Sequence, residues 1–137
     1  MKLLIDTSAF KAFYDEDDEH HEEATSFLRR IKEETVPYKR FFTTDYVLDE
    51  TLTLIRLAHS HAKSVEFGDA LLNSKAILLI YINENVVKNA WNMFKEYTDK
   101  FWSFTDCVSF IIMKKLKITS AFAFDKNFVQ AGFRIVP

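Results

Sequence analysis

Apolar residues follow two rhythms along this chain. Short continuous runs alternate with longer stretches in which apolar positions recur every three or four residues. Five runs read as strands: Leu3-Leu4-Ile5, Phe41-Phe42-Thr43, residues 76–82, residues 120–125 and residues 133–136. The third is the longest and reads as the central strand. Between them lie helical segments. Residues 9–14 suit a short helix. Ala24, Phe27, Leu28 and Ile31 then recur at the spacing of one helix face, before Pro37 breaks the pattern. A helix is expected from Asp45 or Tyr46 to about His59, and another over residues 63–73. Asn83 can cap a helix over 84–97, whose Val87, Ala90, Trp91 and Phe94 form an apolar stripe. Ser103 or Thr105 can cap a helix that is apolar nearly all round as far as Met113, the pattern of a fully buried helix. Residues 126–131 suit one helical turn, and Gly132 permits a turn into the last strand. Strands alternating with long crossovers predict an α/β sandwich around a mostly parallel sheet.

Polar positions refine this picture. Residues 15–23 are all acidic or histidine, and read as the solvated start of the amphipathic helix. Acids suit the positive end of a helix dipole, and Arg29, Arg30 and Lys32 suit the other end. His20 and His21 lack the partner spacing of a zinc motif. Asp49, Thr53, Arg56 and Ser60 form a polar stripe on the next helix. Glu50 lies beside it at the border of the apolar face, angled inward, where a carboxylate needs a partner.

Composition narrows the function classes. With 137 residues, 48% of them hydrophobic, the chain fits one domain over residues 1–137 with one core. No apolar run approaches the ~20 residues of a membrane span. The start of the chain lacks a signal-peptide layout, so a cytoplasmic location and no membrane association are expected. The lone Cys107 excludes an internal disulfide or a multi-cysteine zinc site, and its apolar setting suggests a buried thiol. Two glycines are too few for the phosphate-cradling loops of P-loop or Rossmann proteins. A formal net charge of -2 does not announce a nucleic-acid partner, which would need local basic patches or a metal ion.

Four acids stand out. Asp6 and Asp125 each follow an apolar run and precede a helix, Asp106 opens the buried helix, and Glu50 leans off its own. Taken alone, Asp6 suits a helix N-cap and Asp106 a dipole-stabilising first-turn acid. If the strands before Asp6 and Asp125 are parallel neighbours, both carboxylates emerge at one sheet edge, and a helix starting there adds Asp106. Crowded carboxylates protonate unless a cation sits among them. Mg²⁺ or Mn²⁺ suits an all-oxygen set, and can orient a phosphodiester and lower the pKa of a bound water.

The segments Leu-Ile-Asp6-Thr-Ser, Tyr-Val-Leu-Asp-Glu50-Thr-Leu-Thr-Leu, Ser-Phe-Thr-Asp106-Cys-Val-Ser-Phe and Phe-Asp125-Lys-Asn-Phe resemble the PIN-domain ribonucleases. The likeness is greatest to the toxin subunit of VapBC toxin–antitoxin pairs, and spans essentially the whole chain. It implies a PIN-like three-layer α/β/α sandwich with a roughly five-stranded sheet, and a metal-dependent endoribonuclease. It further implies that Asp6, Glu50, Asp106 and Asp125 are catalytic and surround one or two Mg²⁺ or Mn²⁺ ions, with Thr7 and Thr105 supporting them. The implied partners are an RNA substrate, a cognate antitoxin protein and a second copy in a homodimer. Family members commonly carry His two residues after the last acid, where this chain has Asn127. Lys39, Arg40, Lys63, Lys114, Lys115 and Lys126 are candidates for RNA backbone contacts. A haloacid-dehalogenase-type phosphatase would need Asp in place of Ser8. A response-regulator receiver would need an aspartate ending the central strand, where Asn83 follows Ile82. A non-toxin nuclease for RNA processing or DNA, and a non-catalytic interaction module, are the alternatives.

Overall fold

The computed structural model describes residues 1–137. Its elements run β1 (Lys2–Ile5), α1 (Thr7–Tyr14), α2 (His21–Lys32), β2 (Arg40–Thr44), α3 (Asp45–Ala58), α4 (His61–Leu72), β3 (Ile77–Ile80), α5 (Glu84–Glu96), α6 (Phe104–Leu116), β4 (Ser120–Phe122), α7 (Asn127–Gln130) and β5 (Arg134–Val136). The five strands form one sheet in the order β3-β2-β1-β4-β5, and every pairing is parallel.

The alternation of side chains along a strand divides the core into two layers. Leu3 and Ile5 of β1 and Phe122 of β4 point to one face. There they meet Ala9 and Phe10 of α1, Phe27 of α2, Val47 and Ile55 of α3, and Phe67 of α4. Leu4 and Ala121 point to the other face. They meet Val86 and Ala90 of α5, and Val108, Phe110 and Met113 of α6. Leu3 and Leu4 are both fully buried. A strand covered on both faces is the usual state of a parallel sheet, and explains why β1 reads as an unbroken apolar run. The result is a three-layer α/β/α sandwich.

The segment expected as the central strand lies at the sheet edge. β1 occupies the centre, between β2 and β4. Only residues 77–80 of the apolar run pair, and Leu78 and Tyr81 are 59% and 69% exposed. An apolar run reports apolar content, and does not distinguish a strand flanked on both sides from one flanked on one.

The acidic run also differs from expectation. Helix α2 begins only at His21. Asp15 instead ends α1, where it is buried, and its side chain and that of Asp18 bind Lys11 Nζ at 3.0 and 2.8 Å. Burial opposes the charge of both acids, but the Lys11 ammonium outweighs it and holds both carboxyls below their usual range. The run is a tethered corner between α1 and α2.

Candidate active site

All parallel strands point their carboxyl ends the same way, and loops leaving that edge form a cleft of about 420 Å³. Asp6, Glu50, Asp106 and Asp125 all line it. Each is placed by a different local rule.

Asp6 follows β1 directly, and its amide donates to Phe122 O of the neighbouring β4 at 3.0 Å. Its Oδ2 caps α1, accepting from Ser8 N at 3.1 Å and Ser8 Oγ at 2.7 Å. Ser8 Oγ in turn accepts from Phe124 N at 3.0 Å, which ties Asp6 to the segment that carries Asp125. The cap expected for Asp6 and its place in the cleft therefore coexist. Asp6 Oδ1 accepts no hydrogen bond from the protein and stays available to the cleft.

Asp106 sits in the first turn of α6. Ser103 is the cap: its Oγ accepts from Asp106 N, and Asp106 Oδ2 accepts from Ser103 N, both at 3.0 Å. This reciprocal capping box fixes the carboxylate against the helix end. Asp125 lies three residues beyond the end of β4, in the turn before α7, where its Oδ1 accepts from Asn127 N at 2.9 Å. Asn127 Nδ2 then donates to Asp106 Oδ2 at 3.0 Å and to Asp125 Oδ2 at 3.3 Å. Glu50 is half-buried on α3, and its carboxylate accepts no hydrogen bond within the protein.

The electrostatics follow from this crowding. Burial raises Asp6 from 3.8 to about 7, and the charges of Asp106 and Asp125 push the same way against the Ser8 hydrogen bonds. Burial also raises Asp106, with Asp125 and Glu50 adding to it, while Ser103 and Asn127 oppose. Asp6 and Asp106 are 3% and 5% exposed. Water therefore offers little screening to the cluster.

The expected supporting residues are placed differently. Thr7 lines the cleft, but its hydroxyl accepts from Thr51 Oγ1 at 3.1 Å, joining α1 to the helix of Glu50. Thr105 makes no hydrogen bond to a site acid. Ser8, Ser103 and Asn127 hold the carboxylates instead. His20 also lines the cleft, stacked on Phe124 with centroids 4.5 Å apart, whereas His21 binds Ala12 O. None of Lys39, Arg40, Lys63, Lys114, Lys115 and Lys126 lines the cleft. Its one cation, Lys11, is engaged by Asp15 and Asp18. Cys107 is buried, and burial beside Asp106 pushes its thiol up to about 11, far from a nucleophile's range.

As placed, no group of three or more His, Cys, Asp or Glu side chains is gathered to hold a metal ion. The donor chemistry nevertheless suits one. The cleft offers unshared carboxylate oxygens on Asp6, Asp106 and Glu50, with buried mutual repulsion to relieve and no thiolate among them. That set favours a hard cation.

Comparisons with known proteins agree with this architecture. The chain is 30% identical over 129 residues to the VapC ribonuclease of Archaeoglobus fulgidus, covering 93% of this chain and 80% of that protein. It is 29% identical over 131 residues to the 23S rRNA-specific endonuclease VapC20 of Mycobacterium tuberculosis, covering 96% and 95% of the two chains. The crystal structure of VapC20, described as a sarcin-ricin loop cleaving toxin, superimposes with a TM-score of 0.87 at 27% identity over 96% of this chain and 95% of that one. A chain of VapBC2 from Rickettsia felis, crystallised with a DNA fragment from their promoter, shares the fold at a TM-score of 0.66 and 9% identity over 99% and 98% of the chains. The PIN-domain profile matches residues 3–134, and with this sheet order, this cleft and these relatives, the chain belongs to the PIN-domain family.

Proposed function

We propose that this chain is an endoribonuclease of the VapC toxin type, with residues 1–137 serving as one nuclease domain that acts on cytoplasmic RNA. The observation that carries this reading is the meeting of Asp6, Glu50, Asp106 and Asp125 in one cleft at the carboxyl edge of the sheet. The relatives' ribonuclease and endonuclease activities support the reaction class. The toxin description of VapC20 and the VapBC2 neighbour support an antitoxin as protein partner; a homodimer as the working form rests on the family resemblance alone.

Asp6 and Asp106 are the residues to hold Mg²⁺ or Mn²⁺ most directly, with Glu50 and Asp125 completing the set. When bound, such an ion supplies an activated water and charge neutralisation at a phosphodiester. The protein's part is to hold the carboxylates still and to offset part of the burial that opposes their charge. Ser8 donates twice to Asp6, Ser103 donates to Asp106, and Asn127 spans Asp106 and Asp125. Every one of these bonds favours the ionised carboxyl over the protonated one. His20 and Glu50 stand on the cleft wall, within the set of groups able to orient water or accept its proton.

The test is cleavage of purified RNA by purified protein with Mg²⁺, with Mn²⁺, and with excess chelator. Cleavage that needs the cation and is lost in Asp106→Asn supports the reading. Chelator-insensitive cleavage counts against the metal, and no cleavage of any RNA under all conditions counts against the nuclease.

A further inference from the structure

Beside the acidic cleft lies a second, larger hollow of about 650 Å³, built from the chain between α5 and α6. Its walls are Phe94, Tyr97, Trp102 and Phe104, with Cys107 at their base. These rings are organised by one another: Tyr97 and Trp102 have centroids 4.8 Å apart, and Phe94 and Phe104 6.1 Å apart. Trp102 Nε1 is fixed by Gln130 Oε1 at 3.0 Å. Phe101 and Ser103 line both this hollow and the acidic cleft. Phe101 is 97% exposed and its ring pairs with no other aromatic. Burying a Phe contributes roughly 1.5–3 kcal/mol to folding, and this one contributes essentially none of that.

The cleft itself is a poor anchor for a polyanion. It is lined by six acids, Asp6, Asp18, Glu19, Glu50, Asp106 and Asp125, and its one lysine is already paired. Beyond what a bound cation offers the reacting phosphate, a substrate gains its binding energy beside it. The aromatic hollow borders the cleft, and its exposed rings, Phe94, Tyr97 and above all Phe101, offer faces that attract an unpaired base, whereas Trp102 is buried as part of the core. Positive charge accompanies it. Lys100 lines the hollow half-buried, with its ammonium 3.5 Å from the exposed Asp99, a pair that a phosphate can replace. Lys95 lies 5.8 Å from the Trp91 ring centre, beside Phe94.

We infer that Phe101 and the hollow behind it form a base-stacking platform, which takes an unpaired nucleobase adjoining the scissile phosphate and so positions RNA in the acidic cleft. The platform selects single-stranded or looped RNA over a regular duplex, because a paired base has no free face to offer. This inference rests on the nuclease reading for the identity of the strand. The ring geometry and the exposure of Phe101 stand apart from it.

The experiment compares wild type with Phe101→Ala, Phe101→Leu and Phe101→Trp, all at a position too exposed to affect folding. Short single-stranded RNAs carrying 2-aminopurine are bound in an Asp106→Asn background, where the RNA stays intact, and kcat and KM are measured with Asp106 present. The platform predicts 2-aminopurine quenching that is lost in Phe101→Ala and Phe101→Leu and restored in Phe101→Trp. It also predicts a KM raised about tenfold in the first two variants with kcat nearly unchanged. RNA cleavage with quenching and KM indifferent to position 101 overturns the platform and leaves the nuclease reading intact. Quenching that depends on Phe101 without any cleavage supports the platform and overturns the nuclease reading. Variants that change only sedimentation of the protein, and not RNA binding, overturn the platform by assigning the patch to contact with a second copy.

Discussion

Asn127 Nδ2 donates to Asp106 Oδ2 at 3.0 Å, across the 21 residues that separate the two positions in sequence. The same amide reaches Asp125 Oδ2 at 3.3 Å. A neutral donor thus sits between two carboxylates that would otherwise repel. A neutral amide can hold both acids without adding a charge that titrates near neutral pH. Asn127→Ala is expected to lower kcat for RNA cleavage about tenfold, by loosening both acids in a site that needs its groups fixed to about 0.5 Å. Asn127→Asp puts a third acid where the donor was, and is expected to lose more. Cation titration of cleavage distinguishes this role from a merely structural one: Asn127→Ala should need more Mg²⁺ for half-maximal rate. Unchanged cation dependence would remove Asn127 from the site.

Asp6 makes the metal-free protein sensitive to neutral pH. Its carboxyl is near 3.8 in the unfolded chain and about 7 in the fold. Between those values the folded state binds the extra proton, so stability is full below about pH 4 and falls as pH rises through 7. The shift corresponds to roughly 4 kcal/mol as an upper figure. Asp6→Asn removes the titrating group, and is expected to raise the melting temperature of metal-free protein at pH 8 while abolishing cleavage. Mg²⁺ should raise the melting temperature of wild type and leave Asp6→Asn nearly unchanged. Equal shifts in the two proteins would argue against a cation at Asp6.

Ser8 tests whether the coupling between strand ends matters. Its hydroxyl donates to Asp6 and accepts from Phe124 N, bridging β1 to the turn before Asp125. Ser8→Ala deletes both bonds and leaves Phe124 N without that acceptor. A cost of about 1–2 kcal/mol in stability is expected, together with a rise in the Mg²⁺ concentration for half-maximal cleavage. Ser8→Thr keeps the hydroxyl and should restore the cation dependence. If Ser8→Ala changes stability alone, the serine is only a brace.

The fold was legible where residue pattern and burial coincide. β1 reads as an apolar run because both of its faces are covered, and α6 reads as apolar all round for the same reason. Asp6, Asp106 and Asp125 could be gathered in advance because parallel strands share one carboxyl edge, whereas Glu50 joined them through the family resemblance. The rest depended on tertiary neighbours. The central place went to β1 and not to the longer run at β3, since strand order is set by which strands pair and not by how apolar each is. Ser8 and Asn127 bond to partners 116 and 21 residues away, a relation that no local window contains. Thr7 and Thr105 lie beside acids in sequence, yet adjacent helical residues point in different directions, and neither hydroxyl reaches an acid. His20 lacks the partner spacing of a zinc motif, and the structure gives it another place, against Phe124 on the cleft wall.

Lys11 links the cleft to acid stability. Its ammonium holds Asp15 and Asp18, and Asp18 Oδ1 also accepts from His20 N at 2.9 Å, which fixes the loop that carries His20 into the cleft. Both carboxyls are held below 3.8 despite their burial. A depressed carboxyl contributes stability that is full above its unfolded value and lost as pH falls through its folded one. Wild type is therefore expected to lose stability below about pH 4 through these two groups, in addition to whatever Asp6 does at higher pH. Lys11→Met keeps much of the aliphatic stem but strands the buried Asp15 and the half-buried Asp18 carboxylates, and is expected to cost about 2 kcal/mol at pH 7. The variant's melting temperature should then fall less steeply than that of wild type between about pH 4 and pH 2, because its acids no longer resist protonation. Melting temperature measured across that range checks both signs. A variant that tracks wild type at every pH would show that the Lys11 pairs do not stabilise the corner.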